Sequence, residues 1–281
     1  YRIGKTALVM AALSVSEVTT YVWSFEKDVQ TYANYGLSSI GVWRQKLTDY
    51  GEEKGAELLA ELGMNVSHLY FAGGFTGYDG RSLQDAIDDA QQALEVAALI
   101  QADCLTLYTG SRGGHTSNHA HRLLQLALDQ ILPSAEEHGV VVALEPMDAR
   151  AAIDWTFLTD LEQALEVVDR RSHPLLKMAL DTYHWGGDEK LFSLLPDLVP
   201  YLAIVHLGDC TFAPSRDHER CLLGAGTVPL QSMVAALSKH GYDAIYDIRL
   251  MGEDIEVADD ELVLRNSCQY GEQLLRSCYP V

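Results

Sequence analysis

The sequence lacks the features that mark metal–cysteine sites, disulfide frameworks and membrane spans. Its five cysteines are scattered, odd in number and without a CxxC pair, which argues against a zinc–cysteine site and a disulfide framework. It also has no run of about 18 uninterrupted apolar residues, so no transmembrane helix is predicted. These absences predict a reduced, soluble protein of the cytoplasm that has no membrane partner.

Basic residues are scarce relative to acidic ones. Lys and Arg total 20 against 40 Asp and Glu, and the formal net charge at pH 7 is −20. A surface of this sign repels phosphate backbones, and no Lys/Arg-rich patch offsets it. Nucleic acid is therefore not expected as a partner.

Short apolar runs alternate along the chain with segments of helical period. "EEKGAELLAELG" and "TDLEQALEVVDRR", for example, place apolar residues three and four apart among acids, as amphipathic helices do. Several predicted helices end in a glycine: Gly36, Gly63, Gly139 and Gly241. The apolar runs are predicted strands near Ala7–Leu13, Ser39–Trp43, Val66–Phe71, Cys104–Tyr108, Val140–Glu145, Leu176–Asp181, Ala203–Leu207 and Ala244–Leu250.

Eight strands alternating with helices favour a (β/α)8 barrel that forms a single domain over residues 1–281. An open doubly wound sheet is the second choice, weakened because no GxGxxG fingerprint follows an early strand. The opening "YRIGKTALVMAALSVS" has the basic start and apolar middle of a signal peptide. No small-residue cleavage site follows clearly, so it is interpreted as a barrel strand.

Three successive predicted strands end in residues that can bind a metal ion. Glu145 ends "VVVALEPM", Asp181 ends the apolar part of "KMALDTYHWGG", and His206 ends that of "LAIVHLGD". Singly, these could be a loop cap, a helix N-cap and a structural histidine. In a barrel, however, the strand ends open onto one face. Together the three side chains predict a site for a divalent cation.

Several segments resemble the xylose-isomerase-like TIM barrels, a superfamily of sugar-phosphate isomerases and epimerases related to AP endonucleases. They are "ALEPM", "ALDTYH", "VHLGD", "RCLLGAGTVPL", "GLSSIGVWRQKL" and "GYDAIYDIRL". The resemblance implies that the Glu, Asp and His just named bind Mn, Mg, Co or Zn. It also implies that His184 contacts substrate and that Arg220 binds substrate oxygens, although Arg220 also fits a surface arginine.

The last of these segments departs from the family pattern. The family's eighth strand typically reads like "GYDGPYDIEL", where the Glu is the fourth metal ligand and an acid/base group. This chain has Arg249 at that position. A guanidinium cannot bind a cation, and it can instead pair with Glu145 and Asp181. Occupancy of the metal site is therefore in doubt. Asp247 faces the same way but lies roughly 6–7 Å deeper, which makes it a poor substitute ligand.

Further candidates lie near predicted strand ends. Trp43 and Trp185 can form apolar walls for a sugar ring, although either fits the core equally well. His115 follows the fourth strand and can line the pocket.

The resulting hypothesis is a sugar or cyclitol isomerase, epimerase or dehydratase that transfers a proton next to a carbonyl. Glu145 is its expected base, with His184 as the other candidate, and Arg249 can supply positive charge to the enolate. The alternative is a catalytically silent barrel that binds a small polyol or serves as a partner subunit. An AP endonuclease ranks third, given the acidic charge. A homo-oligomer is possible, and the expected partner is a small sugar or cyclitol.

Overall fold

A closed barrel of eight parallel strands forms the centre of the protein. The computed structural model describes residues 11–215 and 220–279. The predicted (β/α)8 architecture is confirmed. The strands are β1 (Ala12–Ser16), β2 (Ser39–Trp43), β3 (Asn65–Gly73), β4 (Cys104–Tyr108), β5 (Val141–Leu144), β6 (Leu176–Asp181), β7 (Leu202–Leu207) and β8 (Ile245–Ile248).

Helices follow the strands in the chain, and the last two come after β8. Within the described residues, none of them combines the length and apolar character needed to cross a bilayer. They are α1 (Phe25–Asn34), α2 (Arg44–Tyr50), α3 (Glu52–Glu61), α4 (Leu83–Leu99), α5 (Ser117–His138), α6 (Leu161–Arg171), α7 (Thr182–Trp185), α8 (Leu191–Leu198), α9 (Leu230–Lys239), α10 (Glu253–Glu256) and α11 (Asp260–Cys278).

The first strand lies further along the chain than predicted. The prediction was Ala7–Leu13, but β1 begins at Ala12 and runs to Ser16, and residues 7–10 lie outside the described part of the chain. Its central residue is Ser14, which is fully buried and whose hydroxyl lies 2.8 Å from that of Ser67 on β3. An apolar pattern cannot detect a strand whose inward face carries polar residues.

Local capping fixes where the helices begin and end. In six of the described helices the N-cap side chain accepts a hydrogen bond from a backbone N–H of the first turn. These N-cap residues are Ser24, Ser82, Thr116, Asp160, Asp181 and Asp259. The four glycines predicted to end helices, Gly36, Gly63, Gly139 and Gly241, all have positive φ, between 66° and 88°. That backbone region suits glycine because it has no Cβ.

Asp209, just after β7, organises the loop that leads to α9. Its buried carboxylate accepts four backbone N–H bonds of 2.8–3.1 Å, from Cys210, Gly224, Gly226 and Val228. A Cβ at Gly226 would lie 2.2 Å from the Asp209 Oδ1 atom. The loop therefore closes on this carboxylate.

We expect Asp209→Ala to lower the free energy of unfolding by at least about 3 kcal/mol. Losing one buried acceptor leaves several donors unsatisfied, each costing about 1–3 kcal/mol. Urea denaturation measures the change, with Asp197→Ala as the control at an exposed aspartate. Equal midpoints for the two variants would contradict this role of Asp209.

Candidate active site

The guanidinium of Arg249 lies between the carboxylates that end β5 and β6. Its Nη1 donates to Glu145 Oε2 at 2.9 Å and its Nε to Asp181 Oδ2 at 3.1 Å, while Nη2 contacts both carboxylates. Tyr108 at the end of β4 also donates to Glu145 Oε2, at 3.0 Å. Both Glu145 oxygens are thus in contact with Arg249, as the charge and position of that residue predicted.

A second arginine binds the same aspartate. Arg220 forms two contacts of 2.9 Å with Asp181, and its guanidinium carbon lies 4.2 Å from the centre of the Tyr183 ring. A Cβ at Gly208 would lie 2.2 Å from Arg220 Nη1, so the absence of a side chain there makes the pairing possible. The two arginines balance the charges of the two carboxylates, as buried ionic groups require.

These ion pairs determine the protonation states of Asp181 and Arg249. Burial by itself would raise the pKa of Asp181, but the charges of Arg220 and Arg249 outweigh it and hold that pKa well below its ordinary value. Burial would likewise lower the pKa of Arg249. The charge of Glu145 reverses this, and the pKa of Arg249 lies well above its ordinary value. Asp181 is therefore ionised and Arg249 charged at neutral pH.

His206 does not join Glu145 and Asp181 but belongs to a second group of buried side chains. Its Nδ1 lies 2.9 Å from Asp247 Oδ2, and its ring meets that of His68 edge-on at 4.9 Å between centroids. His68, His206 and Asp247 each offer a ligand atom within 4.8 Å of the other two. The other group with this property consists of Glu145, Asp181 and His184.

A cavity of about 290 Å³ opens above the Arg249 guanidinium. Both arginines and His184 line it, and an aromatic and apolar wall completes it. That wall comprises Tyr70, Tyr108, Met147, Ile153, Trp155 and Met251. The cavity therefore pairs cationic groups and an imidazole with surfaces that a sugar ring can contact.

His184 is buried beside the ionic cluster. Its Nδ1 has no hydrogen-bond partner within the described residues. Burial lowers the pKa of His184 to about 3, against the attraction of Asp181. The imidazole is neutral at physiological pH, so it can accept a proton.

Three of the predicted substrate-binding residues lie outside this cavity. Trp43 stacks on Tyr21, with ring centroids 5.3 Å apart. His115 bonds through Nε2 to Thr76 O at 3.0 Å. Trp185 donates to Pro146 O at 3.2 Å and lines an adjoining cavity with His184. The fourth, Arg220, lines the main cavity.

Sequence reasoning missed several residues of the site. Tyr108 ends β4 just as Asp181 ends β6, so a search for polar side chains at the ends of predicted strands could have found it. Trp155 lies in the loop after β5, where no periodic pattern marks it. His68 lies within β3 and is fully buried, and alternation along the strand was the available signal.

The mouth residues do not fit the divalent metal that the resemblance implied. The Arg249 guanidinium lies between Glu145 and Asp181, where its charge would repel a cation and its nitrogens already bind the ligand oxygens. His206 faces Asp247 instead.

Comparison with known proteins supports the fold. Residues 29–272 match the family model described as xylose isomerase-like TIM barrel. Similar solved structures include a Sinorhizobium meliloti protein (24% identity, TM-score 0.85, 94% of this chain and 98% of that chain). The IolI protein with a bound zinc atom is another (17% identity, TM-score 0.84, 96% of this chain and 100% of that chain). A third is the 3-keto-D-glucoside 4-epimerase YcjR of E. coli (15% identity, TM-score 0.78, 95% of this chain and 100% of that chain). Among the curated proteins, no match was found.

We expect Arg249→Met to destabilise the fold by about 3–5 kcal/mol, because it leaves two buried carboxylates without their shared cation. Adding Glu145→Gln removes one of those charges and should recover part of the loss. Urea denaturation of the two single variants and the double variant measures the coupling. Strictly additive effects would contradict a direct ion pair.

Acid should destabilise the protein partly through His184. Its pKa is about 3 when folded but about 6.5 in an unfolded chain. Between these values only the unfolded chain binds the proton, so stability falls as pH falls. In His184→Asn the slope of unfolding free energy between pH 6 and 4 should be smaller by about 1.4 kcal/mol per pH unit. Identical slopes in denaturant titrations would contradict a neutral, buried His184.

Proposed function

As the chain belongs to the xylose isomerase-like TIM-barrel family, we propose that it is a sugar or cyclitol isomerase or dehydratase that works through an enolate. In this proposal the Arg249 guanidinium takes the place of the usual metal ion. The substrate carries a ketone or aldehyde, and a proton moves from the carbon next to it.

Two guanidinium groups and one neutral imidazole at a single cavity support this proposal most directly. Arg220, Arg249 and His184 all line the cavity. Removing a proton beside a carbonyl places negative charge on the carbonyl oxygen. A fixed guanidinium stabilises that charge without reorganising, and such preorganised electrostatic stabilisation is a large contribution to catalysis.

His184 is the proposed base because it faces the cavity. Glu145 is 1% exposed, and both of its oxygens contact Arg249. It therefore acts by holding the guanidinium in place. His184 is a weak base in the empty site, but a developing enolate raises its pKa and favours proton transfer.

A single base limits the reaction types. Epimerisation at one carbon needs proton donors and acceptors on both faces, whereas Glu145 is covered by its partners. One base can move a proton between adjacent carbons, or remove a proton as hydroxide leaves the next carbon. Isomerisation and dehydration are thus favoured over epimerisation.

The cavity suits a single sugar or cyclitol ring. Its volume of about 290 Å³ lies near the small end of ligand sites, which span about 300–1,000 Å³. Tyr70 and Trp155 offer flat apolar faces, while the arginines offer donors to hydroxyl and carbonyl oxygens. Three structural neighbours are named as a 3-keto-D-glucoside, an L-ribulose and a D-psicose epimerase.

We expect incorporation of solvent deuterium into a keto-sugar, a cyclitol ketone or one of their phosphates, followed by NMR. His184→Asn should lower the exchange rate by about 10²–10⁴-fold because it removes the base. Glu145→Gln should cost much less, about tenfold, because Asp181 still holds Arg249. A greater loss in Glu145→Gln than in His184→Asn would contradict the assignment of the base.

The role of Arg249 has its own control in the same assay. Added Mn²⁺ should leave the wild-type rate unchanged, while Arg249→Glu should make the rate depend on Mn²⁺. Tight polyol binding without exchange in any substrate class would favour the silent barrel instead.

A further inference from the structure

Three unpartnered polar atoms lie inside the barrel beneath Arg249. They are His68 Nε2, His206 Nε2 and Asp247 Oδ1, each buried and without a partner in hydrogen-bond geometry within the described residues. All three side chains are fully buried. Ser14 is the polar neighbour of Asp247 across the β1–β8 register. Unsatisfied groups at such positions are costly, so a cluster of them in one place requires an explanation.

His206 presents a bare nitrogen to this cluster. Its Nδ1 lies 2.9 Å from Asp247 Oδ2, and an ionised carboxylate can only accept a hydrogen bond. When Asp247 is ionised, as a metal ligand must be, the ring proton is on Nδ1 and a lone pair remains on Nε2. Metal-bound histidines nearly always donate their other N–H to such a group, which fixes the tautomer and the ring orientation.

His68 has the same tautomer for a separate reason. The Ser67 hydroxyl donates to Ile40 O at 3.1 Å, and its oxygen lies 3.1 Å from His68 Nδ1. When the Ser67 hydroxyl donates to Ile40 O, the Nδ1 of His68 donates to the serine oxygen. The Nε2 atom of His68 is then a second unprotonated nitrogen with a free lone pair.

A glycine on β2 leaves room for the cluster. A Cβ at Gly41 would lie 2.2 Å from His68 Cε1 and 2.9 Å from Asp247 Oδ1. Any side chain at this position would force His68 away from Asp247. The ligand atoms that His68, His206 and Asp247 offer lie within 4.8 Å of one another.

We propose that His68, His206 and Asp247 bind a divalent transition metal ion, with Zn²⁺ the best match, inside the barrel. Two imidazole nitrogens and one carboxylate oxygen are a typical zinc ligand set, whereas Mg²⁺ and Ca²⁺ prefer oxygen. A cation satisfies all three atoms, and binding it displaces any proton on Asp247 and balances the carboxylate charge.

This site differs from the one at the mouth. Arg249 follows Asp247 by two residues and lies just past the C-terminal end of β8, so its guanidinium lies nearer the mouth than the cluster. The ion would therefore bind beneath the guanidinium, away from the reacting carbonyl. The metal proposal can be tested separately from the proposed activity, because metal binding is measured without a substrate.

The test is a metal analysis of the purified full-length protein, followed by calorimetric titration with Zn²⁺ after chelation. The wild type should bind one equivalent. His68→Gln and Asp247→Asn should each weaken binding at least about tenfold. Glu145→Gln is the matched control at the mouth and should bind as the wild type does. Circular dichroism checks that each variant is folded.

Anomalous diffraction at the zinc edge needs no variant and places the ion directly. We expect the peak between His68 and His206. A peak between Glu145 and Asp181, or a wild-type protein that neither contains nor binds Zn²⁺, would overturn the proposal. In the metal-free case a protonated Asp247 would be the remaining explanation for the unpartnered atoms.

Discussion

The position of one guanidinium group determines how the barrel mouth is built. Arg249 binds the carboxylates that end β5 and β6, and the remaining contacts of the site adjust to it. Glu145 is covered by Arg249 and Tyr108, and Asp181 has Arg220 as a second partner that balances its charge. The positive charge at this point of the mouth is therefore part of the chain itself.

Much of the site could be predicted because strand ends follow a simple rule. In a parallel barrel the carboxyl ends share one face, so Glu145, Asp181 and Arg249 could be placed together from the sequence alone. The resemblance to the xylose-isomerase-like barrels is confirmed by the family model. Pairing of the two carboxylates with Arg249 followed from charge and needed no coordinates.

The direction of side chains within a strand pair could not be predicted in the same way. His206 has Asp181 as its register partner on one side and Asp247 on the other, and its Nδ1 bonds Asp247. Only the rotamers decide between the two. The aromatic wall was also missed, because Trp155 lies in a loop whose path depends on tertiary contacts. Trp43 and Trp185 were weighed equally as core or pocket, and both lie outside the main cavity.

The interior of this barrel is polar where such barrels usually hold branched apolar side chains. Ser14, Ser67, His68, His206 and Asp247 are all buried within it. Buried polar groups are costly unless they are fully satisfied, so an interior of this kind is better explained by a function than by packing.

The carboxylate of Asp209 ties the start of the loop after β7 to its end, with N–H groups from Cys210 on one side and from Gly224, Gly226 and Val228 on the other. Both stems of the loop are thus anchored at a single point on the barrel. The stretch between them can gain or lose residues while the strands keep their positions. This loop also supplies Arg220 to the cavity. Exchanging it for loops of other lengths is therefore a way to change substrate preference while the barrel stays the same, in evolution or by design.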